Sequence, residues 1–280
     1  MAHVYASLAQ LNNTLRDNGS VTFATESATI SDRKMEILRA VSRDIDDHCE
    51  RSDFGSGFGP RTGTNRYDGD GSAILRLRDD LLSLTTLTVY DGTGGTGTVY
   101  AVETDVYLEP YDRTPRRRIV AHGQGSLSAF TRGYRTVDAL GSWGERDQRR
   151  TATATASAIA STSTTSVTVS DGAEFSPGIT ILIDTEQLYV SAVSGTTLTV
   201  ERGANGTTAA THGAAAAIQI YEYHPGVVSA TLQLSLRRWK ARDAGSDGTD
   251  GGGDVPTVRP QSESSILRAT VGRLRLPSVR

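Results

Sequence analysis

The side chains of this sequence with the broadest chemical reach are five histidines, one cysteine and a scatter of carboxylates. Their spacing assembles no familiar catalytic centre. His3, His48, His122, His212 and His224 lie far apart, and none stands at metal-ligand spacing from Cys49 or from another histidine. Each is expected to be a satisfied core or surface side chain. Asp184 and Glu186 come closest to a carboxylate pair. On a strand, positions i and i+2 share a face, but no nucleophile or acid–base partner motif accompanies them. They point to a structural role, a hydrogen bond or ion pair with Arg202. Gly92-Thr93-Gly94-Gly95-Thr96-Gly97 has the glycines of a phosphate loop but not its Lys-Ser/Thr, and no helix follows; it predicts a hairpin tip. Ser126 and Ser128 lack the Gly-x-Ser-x-Gly setting of a nucleophile elbow. The sequence therefore predicts no catalytic residue, no cofactor and no metal site.

The elements that carry these residues follow a clear order. Ser7 and Gln10 have capping-box spacing, and Leu8, Leu11 and Leu15 share a face, so residues 7–17 predict a short helix ended by Asn18-Gly19. Residues 20–30 read as a loop or short extended piece. A stronger helix is predicted over 32–50, with Ser31 as its cap and Met35, Leu38, Ser42, Ile45 and Cys49 on one face. Gly/Pro punctuation from Phe54 to Arg66 ends it. From Tyr67 to Gly144 the period becomes that of strands. Candidates are 74–77, 84–90, 99–108, 119–120, 126–130 and 135–140, with Asp91-Gly92 as a turn. Residues 151–165 are Thr/Ala/Ser-rich, a linker or an extended strand.

Residues 166–222 read as a compact β module with strands near 166–170, 179–184, 187–193, 196–201 and 217–222. Pro225 then opens a helix that is apolar on two sides, with stripes Val228, Leu232, Leu236, Trp239 and Val227, Thr231, Leu234, Arg238. Residues 245–254 form a Gly/Asp-rich flexible linker, and residues 262–276 a last short helix. The expected fold class is α+β: a small helical bundle of N- and C-terminal helices with a β-rich region and an inserted small barrel or sandwich. The expected division is 1–66 with 223–244 as a discontinuous helical core, 67–150 as the β-rich region, 151–222 as the inserted module, and 245–280 as linker and arm.

Composition narrows the function classes. Of 280 residues 37% are hydrophobic and 6% aromatic, with 29 glycines, a lean inventory that suggests thin layers, long arms or a core completed by neighbouring subunits. The net charge of -3 gives no global basic field for nucleic acid. Cys49 alone makes no intrachain disulfide and fits synthesis in a reducing cytoplasm. No stretch approaches the ~20 apolar residues of a membrane helix, and the N-terminus lacks a signal-peptide pattern. Lys34 and Lys240 are the only lysines, an arginine bias in keeping with a GC-rich genome.

Taken in order, several segments resemble the head–tail connector, or adaptor, family of tailed bacteriophages. They are Tyr5, Leu8 and Leu11; then Asp32, Leu38, Ala40, Ser42, Arg43, Ile45 and Asp46 in an SR-ID…R-F-P helix end; then Asp79-Asp80-Leu81-Leu82; then VYLEPYDRTPRRRIV; and finally HPGVVSATLQLSLRRW. FSPGITILIDTEQLYV and ERGANGT resemble a β module recurrent in phage virion proteins. The simplest family members lack both the β region and the inserted module.

The resemblance implies a non-enzymatic neck protein of the virion, assembled in the host cytoplasm into a homo-oligomeric ring, a dodecamer. The ring would dock under the portal protein, receive a stopper or tail-completion protein, and let DNA pass through its lumen without specific binding. It also implies a portal-binding arm in 262–280, with Ile266, Leu267, Arg268, Val271, Arg273, Leu274, Arg275 and Arg280 as its contacts. A flexible linker before an amphipathic basic segment reads as an arm that orders on a partner; the other reading is a tail folded on its own subunit. Leu38, Ile45, Val228, Leu232, Leu236 and Trp239 are the expected subunit-packing residues. Arg116-Arg117-Arg118 and Arg149-Arg150 read either as solvated loops or as patches near passing DNA or an acidic neighbour. A tail or baseplate protein built around the β module, and a cell-wall hydrolase on the virion, are the alternative functions.

Overall fold

A computed structural model describes residues 4–18, 27–51, 57–244 and 262–276. Ser7 caps α1 (Leu8–Asp17), and the reciprocal Ser7–Gln10 capping box is complete. Helix α2 (Ala28–His48) begins four residues earlier than its apolar pattern, because Ser27 rather than Ser31 accepts the first-turn bond, from Ile30 N. Helix α3 (Pro225–Ala244) opens on its proline, and α4 (Glu263–Thr270) is capped by Ser262. The linker at 245–254 and residues 20–26 lie outside the described residues.

Between α2 and α3 the described residues form twelve strands in two antiparallel sheets, so the α+β class is observed. The first sheet contains β1 (Arg61–Gly69), β2 (Ile74–Tyr90), β3 (Gly97–Tyr100), β4 (Val106–Glu109), β5 (Arg116–Ala121) and β6 (Gly133–Trp143). Its order is β1-β6-β2-β5-β4, with β3 on β2. Three features differ from the sequence pattern. Strand β1 occupies part of the Gly/Pro stretch, paired along β6 from Arg61↔Trp143 to Gly69↔Gly133. The stretch 99–108 splits in two, because the Asp105 carboxylate turns the chain by accepting from Ala101 N and Ser126. Residues 126–130 form a loop. Tyr67, Leu75, Leu77, Leu81, Leu87, Ile119, Phe130 and Trp143 fill the core of this unit, which spans residues 50–148.

The second sheet contains β7 (Arg149–Thr151), β8 (Ser166–Thr168), β9 (Thr180–Ile183), β10 (Glu186–Ser194), β11 (Thr197–Glu201) and β12 (Ile218–Tyr221), ordered β7-β12-β9-β10-β11-β8. Its two edges meet through the Thr/Ala segment after β7. Thr155 N bonds Ala216 O on one side, while Ala156 N bonds Thr168 O on the other. The sheet thus curls around Ile159, Val167, Phe175, Ile181, Ile183, Leu188, Val190, Leu198 and Ile218.

This module, residues 205–207 apart, and helices α1–α4 belong to one compact unit. Helix α3 lies against α1, α2 and α4. Its stripe Val227, Thr231 and Leu234 is fully buried. The other stripe, Val228, Leu232 and Leu236, is half-buried against a cluster of Leu8, Leu11, Leu15, Met35, Leu38 and Trp239. The N-terminal segment is pinned to the module: Leu8 N donates to Pro177 O at 3.0 Å and Ala9 N to Ser176 Oγ at 3.1 Å. Gly178, at φ +99, leaves room there; a Cβ would come within 2.8 Å of the Val4 side chain.

Leu234→Ala removes a fully buried side chain from the helix that touches three others. It is expected to cost about 2–5 kcal/mol in urea denaturation. Gln233→Ala, on the exposed side of the same turn, is expected to change stability by less than about 0.5 kcal/mol.

Candidate functional site

The residues that carry the family resemblance in α2 meet the N-terminal segment in one buried knot. Ser42 lies on the face of α2 that carries Leu38 and Ile45. Its Oγ donates to Leu38 O at 2.7 Å and accepts from Tyr5 N at 3.2 Å. The Tyr5 hydroxyl donates to Asp46 Oδ1, and Arg43 closes the other carboxylate oxygen at 2.9 Å. The Tyr223 ring stands edge-on to Tyr5, 5.0 Å between centroids. Burial, reinforced by the Asp46 charge, pushes the Tyr5 phenol well above its ordinary range; burial pushes Tyr223 up to about 12. Both phenols are neutral at any physiological pH. The knot fixes the entry of the chain into the helical core.

A second anchor holds the C-terminal segment. The Arg238 guanidinium, from α3, bonds Asp44 on α2 at 2.5 Å and Glu263 on α4 at 3.1 Å. Burial works against its charge, but Glu263 and Asp44 outweigh that and raise its pKa, while Arg238 holds the Glu263 carboxyl below its ordinary value. At the other end of α4, the Cys49 thiol lies 3.8 Å from Val271 O. Ile266, Leu267 and Val271 are buried, at 8%, 8% and 0% exposure. Leu274 is half-buried. Arg268, Arg273 and Arg275 are exposed. His48, at the end of α2, is pushed below its usual pKa by burial first and then by Arg275 and Arg268. The apolar side chains of this segment are therefore buried within this chain, and its arginines lie on the exposed side. Arg280 lies outside the described residues.

Of the expected subunit-packing residues, Leu38 and Ile45 are fully buried among this chain's own helices, and Trp239 is 6% exposed beneath the Lys34 ammonium. Val228, Leu232 and Leu236 keep part of their surface. All six therefore pack within this chain, the last three with some surface left over.

Asp184 and Glu186 join a network around Arg202. Arg202 grips Glu186 with Nε and Nη2, both at 2.7 Å, and donates to the carbonyls of Ser161, Thr164 and Ala210. Gly203 N and Ala210 N add bonds to Glu186, and His212 spans Glu186 at 2.9 Å and Asp184 at 2.7 Å. Burial pushes the Glu186 carboxyl up, but these donors outweigh it and bring it to about 2. Every donor is occupied by the module itself, so this is a staple that ties the β9–β10 hairpin to the segments 161–164 and 202–212.

The remaining residues with chemical potential are dispersed. The His122 ring lies 4.5 Å from that of Tyr107, tilted by 57°, and His224 Nδ1 accepts from Gly226 N at the start of α3. His3 lies outside the described residues. Gly92–Gly97 lies at the turn from β2 to β3, where Asp91 N bonds Thr96 O. Arg149 and Arg150 lie on β7, bonded to Gln219 and to Glu174. Among the described residues no group of three His, Cys, Asp or Glu is arranged to hold a metal ion.

Sequence reasoning missed one buried centre. Asp80, fully buried, is shared by Arg51 at 2.6 Å and Arg117 at 2.8 Å, with Arg51 stacked 4.6 Å from the Phe58 ring. The signal was an acidic pair, Asp79-Asp80, inside an otherwise apolar strand. A buried carboxylate needs such partners.

Glu186 has its folded pKa depressed, so its contribution to stability is fully present above about 4.5, the ordinary value, and is lost as pH falls toward about 2. Acid unfolding followed by circular dichroism should show that loss, and Glu186→Gln should remove it while costing about 3–5 kcal/mol at neutral pH. Tyr5→Phe, which leaves Asp46 short of one donor, is expected to cost about 1–3 kcal/mol.

No protein-family model matches this sequence, and no curated protein matches it. Among solved structures, a chain from the neck of an empty GTA particle, computed with C6 symmetry, is similar over 99% of this chain and 92% of that chain, with 12% identity and a TM-score of 0.42. At that identity and TM-score the likeness assigns neither role nor residues.

Proposed function

We propose that this protein is a structural, non-catalytic adaptor of a tailed phage or phage-like particle. It forms a homo-oligomeric ring, a dodecamer, that docks on the portal, receives a stopper or tail-completion protein on its far side, and lets DNA cross its lumen. The observation that carries this reading is the pairing of α2 with α3. These helices flank residues 49–224, yet they close on one another, and the residues that resemble the adaptor family, Tyr5, Ser42, Arg43 and Asp46, build the knot that positions them. A chain that spends its buried polar groups on holding its own shape, and leaves half-buried apolar stripes and a basic terminal helix at the surface, is suited to assembly rather than turnover.

The half-buried Val228, Leu232 and Leu236 supply the subunit contacts in this reading. A ring built of identical copies uses a heterologous contact, one patch meeting a different one, repeated until it closes. The exposed Arg268, Arg273 and Arg275 of the C-terminal segment meet the portal. Each contact is weak, but repetition around a ring multiplies it into avid attachment.

The test is co-sedimentation of the purified chain with isolated portal. Arg268→Glu with Arg273→Glu reverses two exposed charges, so the melting temperature should stay within a few degrees of the parent while portal binding is lost. Full binding by this variant would contradict docking through that side of α4. Leu232→Asp should abolish the ring in native mass spectrometry, since it places an unpaired charge at a packed stripe. A normal ring from that variant would contradict the assignment of the stripe to subunit contact.

A further inference from the structure

The first sheet carries a charge conflict on its outer face. In β2, Leu75 and Leu77 point into the core, at 4% and 5% exposure, so Ile74, Arg76 and Arg78 point outward. In β5, Ile119 and Ala121 point inward, so Arg118 and Val120 point outward. The register places Arg76 directly opposite Arg118. Like charges facing each other across an antiparallel pair are destabilising. Only one of the two is compensated: Arg118 reaches Glu109 of β4 at 3.3 Å, with both side chains near half exposed, at 48% and 40%. Arg76 has no ion pair, hydrogen bond or ring contact among the described residues. Arg78 is already engaged, bonded to Arg66 O and stacked on Tyr67.

We infer that the Arg76–Arg118 pair is a contact for the phosphodiester backbone of double-stranded DNA. Two forked guanidinium groups on adjacent strands can each take a phosphate oxygen pair, and an anion between them would relieve the repulsion that the folded chain leaves in place. An acidic protein surface offers the same charge, but stable protein docking needs buried apolar anchors at its centre. This face offers only a small strip: Ile74 is exposed at 37%, with Val120 and Tyr107 half-buried in register beside it. Backbone phosphates need no such anchor, and contacts to them carry no sequence information. With two arginines per chain the binding is weak and salt-sensitive, which suits a surface that DNA slides past. This deepens the adaptor reading, in which DNA crosses the ring. It is measured on the chain itself, so failure of the ring or portal assays and failure of this one are separate results.

The experiment is fluorescence anisotropy of a labelled 30-base-pair duplex of arbitrary sequence, titrated with the full chain across a range of salt concentrations. The parent should bind at low salt without sequence preference. Arg76→Ala with Arg118→Ala should weaken binding at least tenfold and reduce the log–log salt slope by about 1.8, at about 0.9 for each lost phosphate contact. Glu109→Gln, which removes the competing carboxylate, should strengthen binding. Arg76→Ala should leave the melting temperature unchanged or raise it, since it removes a repulsion. Equal binding by the parent and the double variant would overturn the proposal, as would poly-glutamate competing as well as DNA does. A marked loss of stability in Arg76→Ala would also overturn it, by giving that arginine a structural role.

Discussion

Helix α3 has to be covered on more than one side, and everything else in its unit follows from that. A helix with apolar residues on two stripes is unstable alone in water; most helical stability in proteins comes from packing such faces. Here α1, α2 and α4 supply the cover. Bringing α2 to α3 closes a loop over residues 49–224, yet closure entropy grows only with the logarithm of loop length. The excursion is also made of self-sufficient sheets, which shorten the effective loop. A chain can therefore carry a long β insertion between paired helices at modest cost, provided the helix contact is well specified. Three ionic or polar fasteners specify it: Tyr5–Asp46–Arg43 at the N-terminal entry, Arg238 between Asp44 and Glu263, and Lys34 bonded to Asn12 and lying over Trp239.

The same logic recurs in both sheets. Each holds a fully buried, partnered carboxylate: Asp80 in the first, beside Asp79 bonded by Asn65, and Glu186 in the second. Removing one partner from such a site is far more costly than the pair is worth, so the sites enforce one arrangement of their strands rather than add large net stability.

The sequence made the helices legible where local chemistry decides them. The Ser7-x-x-Gln10 box, the Pro225 start and the 3–4 spacing of Met35, Leu38, Ser42 and Ile45 are short-range signals, and the observed helices agree. The start of α2 was hidden because Ala28 and Thr29 lack an apolar period, so Ser31 resembled a cap as much as Ser27 did. Strand β1 was hidden for a different reason. Its Arg61, Gly63 and Asn65 rest on long-range partners, such as the Trp143 indole donating to Gly63 O, rather than on an apolar face of their own. The Glu186–Arg202 contact was legible because a hairpin brings them together. The addition of His212 and the sharing of Asp80 by Arg51 and Arg117 were not, because those residues are far apart in sequence and meet only in the folded units. The C-terminal segment was readable as a short amphipathic helix, but sequence could not say which surface takes its apolar side; Ile266, Leu267 and Val271 are buried on their own chain.

The account stands or falls on where this chain sits when it works. Cryo-electron microscopy of intact particles, with the chain identified in the density by its α2–α3 pair and curled module, is the most direct measurement. The account predicts a closed ring of copies between the portal and the tail, joined through the Val228–Leu232–Leu236 side of α3. Isolated copies elsewhere on the particle, with that stripe facing solvent, would contradict it.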